Sequence, residues 1–237
     1  MTIDWAKERI LIFAPHPDDE TLGCGGLMSK AKAAGAEVFV QFITVGDTAD
    51  FSAAGLSTAE ERFREIKEVA DFYRWDDWNI AFPGDEYHLK LDRLPRFELA
   101  NAIERHSPLA IAELRPSVVI TPHWTSYNQD HRATAEAVHT ALRPSDNRMR
   151  HHPRLVLAYE EAADQWRYEA TTSPNLLVEL TEEHLDDKIT AMRLYGTQIH
   201  GHPHTRSELT LRSLAALRGM QSGVAFAEGY HTLRWLA

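Results

Sequence analysis

Short apolar runs, several of them β-branched, alternate with helix-patterned segments as far as residue 121, and few folds accept that order. Arg9–Ala14 reads as a first strand, Val38–Thr44 as a second, Asn79–Phe82 as a third and Ser117–Thr121 as a fourth. Between the first two, Gly26–Ala36 is rich in Ala and Lys and helical in pattern. Thr58 opens a longer helix that runs to about Arg74. Its hydroxyl can cap the first turn, and Glu61, three residues on, completes a capping box. Leu94–His106 reads as a further helix with Pro95 in its first turn, where a missing N–H costs nothing. This alternation predicts an α/β fold: a Rossmann-like, mostly parallel sheet with helices on both faces. Ligands of such sheets collect at the carboxyl ends of the strands.

After about Arg150 the pattern is looser. Leu155–Tyr159 and Leu176–Leu180 read as strands and Glu182–Tyr195 as a helix. No repeat, low-complexity tract or linker interrupts residues 1–237, so one domain is expected. The formal net charge of -10 argues against a broad nucleic-acid-binding face. No apolar run reaches the length of a membrane span, and the charged N-terminal stretch does not fit a signal peptide. Cys24 is the sole cysteine, which excludes an intrachain disulfide and makes the cytoplasm the expected compartment. Homo-oligomerisation is left open.

Two strand ends carry the chemistry. After the first comes Pro15-His16-Pro17-Asp18-Asp19-Glu20, an imidazole and three carboxylates within five residues. Crowded carboxylates repel unless something positive sits among them, and a divalent cation turns that repulsion into ligation. The same residues also suit a plain acidic helix start, with Asp18 or Asp19 as the cap. After the strand ending at Thr121 comes His123 to His131, which opens another helix. If the two strands are neighbours, the clusters meet. His16, an aspartate and His131 would then offer three donors and leave a coordination position open, as catalytic zinc sites do. Taken alone, His131 also reads as a surface histidine in a first helical turn.

The ordered run His16-Pro17-Asp18-Asp19-Glu20-Thr21-Leu22-Gly23-Cys24-Gly25-Gly26 resembles the signature of the LmbE/PIG-L family of zinc-dependent N-deacetylases. Asp130-His131-Arg132-Ala133-Thr134 resembles its second motif. Arg62-x-x-Glu65, Pro83-Gly84-Asp85 and the segment Gly223–Tyr230 fit further parts of the pattern. The resemblance covers the N-terminal two-thirds well and the rest thinly. It implies hydrolysis of an acetamido group, usually on an N-acetylglucosamine-type sugar. It makes His16, Asp19 and His131 the ligands of Zn2+ and Asp18 the general base; histidine and carboxylate donors also suit other divalent metals, such as Fe2+. Many relatives carry His-x-x-His in the second motif, and here the first of these positions is Asn128. An amide can donate to an oxyanion but cannot become cationic. His123 and Tyr127 are the local residues that could compensate.

Arg62 and Asp85 are further substrate-binding candidates. Arg62 could instead pair with Glu65 across one helical turn, and Asp85 could simply belong to a Pro-Gly-Asp turn. His200, His202 and His204 look metal-like by composition but are loosely spaced among Gly and Pro. The glycines at 23, 25 and 26 do not have dinucleotide-fingerprint spacing and suit close helix–sheet packing instead. Trp75, Trp78, Trp124 and Trp166 suit either core or sugar stacking, and Trp124 lies beside the second cluster. Substrate selection is expected from the loops at 46–57, 83–93 and 196–207. The expected partner is a small N-acyl substrate, a sugar in the first reading and a non-sugar acyl amine in the alternative. A sheet that binds a sugar or cation without turnover is the reading outside enzymes.

Overall fold

Strand β1 (Arg9–Ala14) lies inside the sheet, with a strand on either side, and it is apolar on both faces. Ile10, Ile12 and Ala14 enter one hydrophobic cluster, while Leu11 and Phe13 enter a second, and all five are fully buried. A strand covered on both sides in this way is the mark of a parallel sheet. The computed structural model describes residues 3–49, 55–146, 148–169 and 173–236.

In chain order, β1 is followed by α1 (Asp19–Ala34), β2 (Glu37–Val45), β3 (Thr48–Ala49), β4 (Leu56–Ser57), α2 (Ala59–Tyr73) and β5 (Asp77–Pro83). Then come α3 (Arg96–Asn101), α4 (Ile111–Leu114), β6 (Val118–Thr121), α5 (Gln129–Ala141) and β7 (Leu155–Tyr159). The chain continues through β8 (Leu176–Leu180), α6 (Glu182–Leu194), α7 (Glu208–Ser222) and β9 (Phe226–Trp235). Seven strands form one sheet in the order β5-β2-β1-β6-β7-β9-β8. All pairings are parallel except those of β9 with β7 and β8. β3 and β4 form a separate antiparallel pair.

Helices cover both faces, as expected. Leu27 and Met28 of α1, Ile66 and Val69 of α2, and Ile189 and Met192 of α6 pack on one face. Leu99 of α3 and Ala137 and Val138 of α5 pack on the other. The Thr58–Glu61 capping box forms at the start of α2. The helix expected over Leu94–His106 is broken differently: Pro95 stands at the cap of α3, which yields to a π-helical turn over Ala102–His106. Helix α1 begins at Asp19, well before the Ala-rich stretch. Its glycines let it lie close to its neighbours, since a Cβ at Gly25 would stand 2.7 Å from Lys188 Cγ.

β1 pairs with β2 on one side and β6 on the other, with Ile12 opposite both Val40 and Ile120. The chain winds from β1 through β2 to β5, then crosses back to β6. The point where the winding reverses therefore lies between the carboxyl ends of β1 and β6, the ligand-binding position of such sheets. No helix of the described residues is long and apolar enough to cross a membrane. Of the loop at 46–57, residues 50–54 lie outside the described residues.

Candidate metal centre and active site

The loop after β1 turns sharply. Asp18 takes a φ of 109°, a left-handed conformation that an L-residue with a side chain adopts at a cost of about 1–3 kcal/mol. Its N–H donates to Glu20 Oε2 at 3.1 Å, and its carbonyl accepts the first helical bond of α1, from Leu22 N at 2.8 Å. Asp19 does not cap with its side chain. Instead, its Oδ2 accepts from the His16 backbone N–H at 2.8 Å, which fixes the carboxylate beside the His16 ring. Asp18 occupies the cap position without a side-chain bond, so its carboxylate remains directed elsewhere.

From β6 the chain runs through a short loop to α5. Asn128 caps that helix, its Oδ1 accepting from Asp130 N at 2.9 Å, and the first turn then presents Asp130 and His131. Asp19 Oδ2 lies 3.4 Å from His16 Nδ1 and 3.2 Å from His131 Nε2. Ligand atoms of His16, Asp19 and His131 all fall within 4.8 Å of one another, and all three residues are buried. Two imidazole nitrogens and one carboxylate oxygen in this arrangement suit a divalent cation.

The local charge fits a cation as well. Burial pulls the His16 imidazole down, but the Asp130 and Asp19 carboxylates outweigh it and push the ring up to about 9. Burial raises the Asp19 carboxyl, yet His131 and His16 hold it well below the usual range. A site that draws protons onto an imidazole this strongly favours a metal ion in their place, with the protons released. Asp130 approaches His16 Nε2 at 3.0 Å and accepts from Leu91 N at 3.0 Å, so it fixes the ring from behind.

Asp18 is fully buried beside this set. Burial raises its carboxyl, and Asp19 adds to that, while Arg206 and Arg62 oppose it; the balance is upward. Arg206 Nε stands 3.1 Å from Asp18 Oδ2, and Arg62 Nη2 stands 3.5 Å from Oδ1. A cavity of about 150 Å³ opens over Asp19 and His131, walled by Tyr127, Asn128, Glu161, Asp164 and Arg206 among others. Glu161 and Asp164 are buried and form, with His131, a second group of donors within 4.8 Å of one another. Burial drives both carboxyls upward, Glu161 strongly so.

The other candidates from the sequence sit differently. Arg62 is buried beneath the loop, donating to the Pro17 carbonyl and to Thr197 Oγ1 at 3.4 Å, and it does not line the cavity. Asp85 is exposed and accepts from Asp47 N at 2.7 Å, tying two loops together. His123 is buried between Trp124 and His231, with ring centroids 4.1 and 4.5 Å away, and is also absent from the cavity wall. Trp124 is occupied by the same stack. Trp75 and Trp78 pack on the core around Phe42. Among the loose histidines, His204 reaches the cavity wall and lies 4.3 Å from the His200 ring, whereas His202 is exposed.

Asp130, Glu161, Asp164, Arg206 and His88 complete the site without having been singled out in the sequence. His88 packs edge-on against His16 at 5.2 Å, and burial holds it down to about 4. Asp130 adjoins His131, and Glu161 follows the carboxyl end of a parallel strand, so both stood at legible positions. Arg206 gave no local signal.

Fold and site together define a Rossmann-like α/β protein with a histidine–carboxylate centre at its switch point. Residues 11–142 match the family described as PIG-L: GlcNAc-PI de-N-acetylase, and the chain belongs to that family. It is thereby a hydrolase of the deacetylase kind. A diacetylchitobiose deacetylase of Thermococcus kodakarensis is 28% identical over 232 residues, covering 94% of this chain and 82% of the relative. A 1D-myo-inositol 2-acetamido-2-deoxy-alpha-D-glucopyranoside deacetylase of Saccharopolyspora erythraea is 27% identical, covering 82% of this chain and 78% of the relative. Among solved structures, a conserved protein of Thermus thermophilus superposes with a TM-score of 0.72 at 24% identity, covering 97% of this chain and 96% of the other. That likeness speaks for the fold.

Proposed function

We propose that the chain is a zinc-dependent N-deacetylase that cleaves the acetamido group of an N-acetylglucosamine-type sugar or a small molecule bearing one. One observation carries this reading: His16, Asp19 and His131 converge within 4.8 Å at the switch point, beside the buried carboxylate of Asp18. The family and the substrates named for the Thermococcus and Saccharopolyspora relatives support the sugar.

His16, Asp19 and His131 would hold the ion, and Asp130 fixes the His16 ring behind them. When bound, a divalent ion supplies a Lewis acid that polarises the amide carbonyl and acidifies the attacking water. Asp18 takes the proton of that water as its oxygen bonds to the carbonyl carbon. The same carboxyl then returns the proton to nitrogen as the C–N bond breaks, releasing acetate and the free amine. Asn128 keeps its Oδ1 on the helix cap, which leaves its NH2 to donate to the oxygen that gains charge. Arg62 and Arg206 hold Asp18 from two sides.

The test is release of acetate and free amine from N-acetylglucosamine and its glycosides, with and without a chelator. Release that chelation abolishes and zinc restores is expected. Sugar binding that ignores the chelator and yields no amine would overturn the proposal.

A further inference from the structure

The reacting cavity is too small for a whole glycoside. At about 150 Å³ it falls below the ~300 Å³ at which small-molecule sites begin, and suits the acetamido end of a sugar. A second cleft of about 400 Å³ opens next to it, and Tyr127 forms part of both walls. Trp166 and Tyr168 stand on this cleft almost wholly exposed, at 82% and 103% of their reference areas, and Tyr127 is 54% exposed. Three aromatic side chains grouped on one cleft beside a polar cavity make the kind of exposed apolar surface that marks a ligand-binding groove.

The rest of the wall is polar. Arg167 Nη1 donates to Thr125 Oγ1 at 2.8 Å, which holds its guanidinium in place, while its buried Nε has no partner among the described residues. Arg132 donates to the Ser126 carbonyl at 3.3 Å, and Glu169 faces the same cleft. Aromatic faces ringed by fixed donors and an acceptor match a pyranose, whose C–H face is apolar and whose rim is hydroxyl. Glu169 beside Arg132 and Arg167 mixes an acceptor with the donors, as a rim of hydroxyls requires, whereas an anion would use the two arginines alone.

From this geometry we infer a second sugar subsite, in which Trp166 and Tyr168 stack a pyranose ring glycosidically joined to the ring undergoing deacetylation. The natural substrate is therefore a disaccharide or longer glycoside. The inference rests on the deacetylase reading above for its substrate, but not for its binding.

Two measurements test it on the metal-loaded protein. The first is kcat/KM for N,N'-diacetylchitobiose against N-acetylglucosamine. The disaccharide should be preferred by about tenfold or more, and Trp166→Ala and Tyr168→Ala should each cut that preference several-fold, together about tenfold. A preference near one, or one that both variants retain, overturns the subsite. So does a marked preference for a sugar phosphate that Arg132→Ala abolishes, because the occupant is then an anion. The second measurement is tryptophan emission on adding chitobiose, which carries no acetyl group to remove. A change that Trp166→Phe removes supports the subsite even if neither acetylated sugar is turned over, a result that would count against the deacetylase reading alone. No change in the wild type overturns the subsite.

Discussion

The Arg206 guanidinium lies 3.1 Å from the Asp18 carboxylate, although one belongs to the loop before α7 and the other to the turn after β1. The C-terminal half of the chain thus closes over the N-terminal motif and places a cation against the carboxylate proposed as its base. Arg206 opposes the burial that raises Asp18. Replacing it with alanine removes that opposition, so the Asp18 carboxyl rises further and the base form appears only at higher pH. Arg206→Ala should lower kcat about tenfold and move the acidic limb of kcat/KM toward higher pH, and Arg206→Lys should restore much of both. An acidic limb that stays in place in the alanine variant would show that Arg206 does not act through Asp18.

Asp18→Asn separates the proposed base from the proposed ligands. The amide keeps the size of the side chain, and the donors on His16, Asp19 and His131 are untouched. Metal content should stay near that of the wild type while turnover falls by roughly 10²–10⁴, the usual worth of general acid–base catalysis. Metal analysis beside a single-turnover assay checks this. Loss of the metal would mean that the base and ligand roles are exchanged.

Asp130 holds His16 Nε2 at 3.0 Å while its other oxygen accepts from Leu91 N. Carboxylates placed behind a ligating histidine fix its tautomer and ring plane, and their loss typically costs about 10–100-fold in metal affinity. Asp130→Asn should weaken metal binding by about that factor in a competition titration with a chelating dye. An unchanged affinity would reduce Asp130 to a clasp on Leu91.

The strands that position the site were readable because they are buried on both faces. Ile10 to Ala14 and Val118 to Ile120 offer no polar alternation that could be mistaken for a surface. β9 was not, because Glu228, His231, Thr232 and Arg234 interrupt its apolar residues and its pairing is antiparallel. Yet Glu228 has a clear structural part. Its carboxylate accepts from the Gly26 and Leu27 N–H groups at 2.8 Å each and from Lys188 Nζ at 2.7 Å, pinning α1 to the sheet. His16, Asp19 and His131 were visible as polar clusters at strand ends, and the pairing of β1 with β6 brings them together. Arg206 and Trp166 come from irregular loops, where side-chain direction follows from tertiary closure and not from spacing. His123 differs in the opposite way: it follows a strand end closely, but its loop turns it into the stack with Trp124 and His231.

That stack also bears on stability. His123 Nδ1 accepts from the Thr125 hydroxyl at 2.7 Å, and burial, with His231 and Arg167 nearby, pushes the ring down to about 4. The unfolded chain takes up this proton near pH 6.5, whereas the folded chain resists it until about pH 4. The stabilisation is complete above pH 6.5 and is lost as the pH falls from there to the folded value. His123→Gln should melt lower than the wild type at about pH 7.5 but lose less Tm as the pH is taken down through that window. Parallel Tm curves for the two proteins would remove His123 from the acid response.

Asn128 has one observed role and one proposed role, and one substitution divides them. Its Oδ1 caps α5 through Asp130 N, while its amide NH2 is the donor proposed for the substrate oxyanion. Aspartate caps as well as asparagine, so Asn128→Asp should keep the unfolding free energy within roughly half a kcal/mol of the wild type. It replaces the donor with a negative charge where negative charge develops, so kcat should fall by roughly 10²–10³. Asn128→Ala loses both functions, costing about 1 kcal/mol of stability as well as the rate. Asn128→His tests the residue that many relatives carry: it gives up the favoured cap but supplies a donor that can become cationic, so kcat should exceed that of the alanine variant. If Asn128→Asp turns over as fast as the wild type, the oxyanion is stabilised elsewhere, and Asn128 is a helix cap alone.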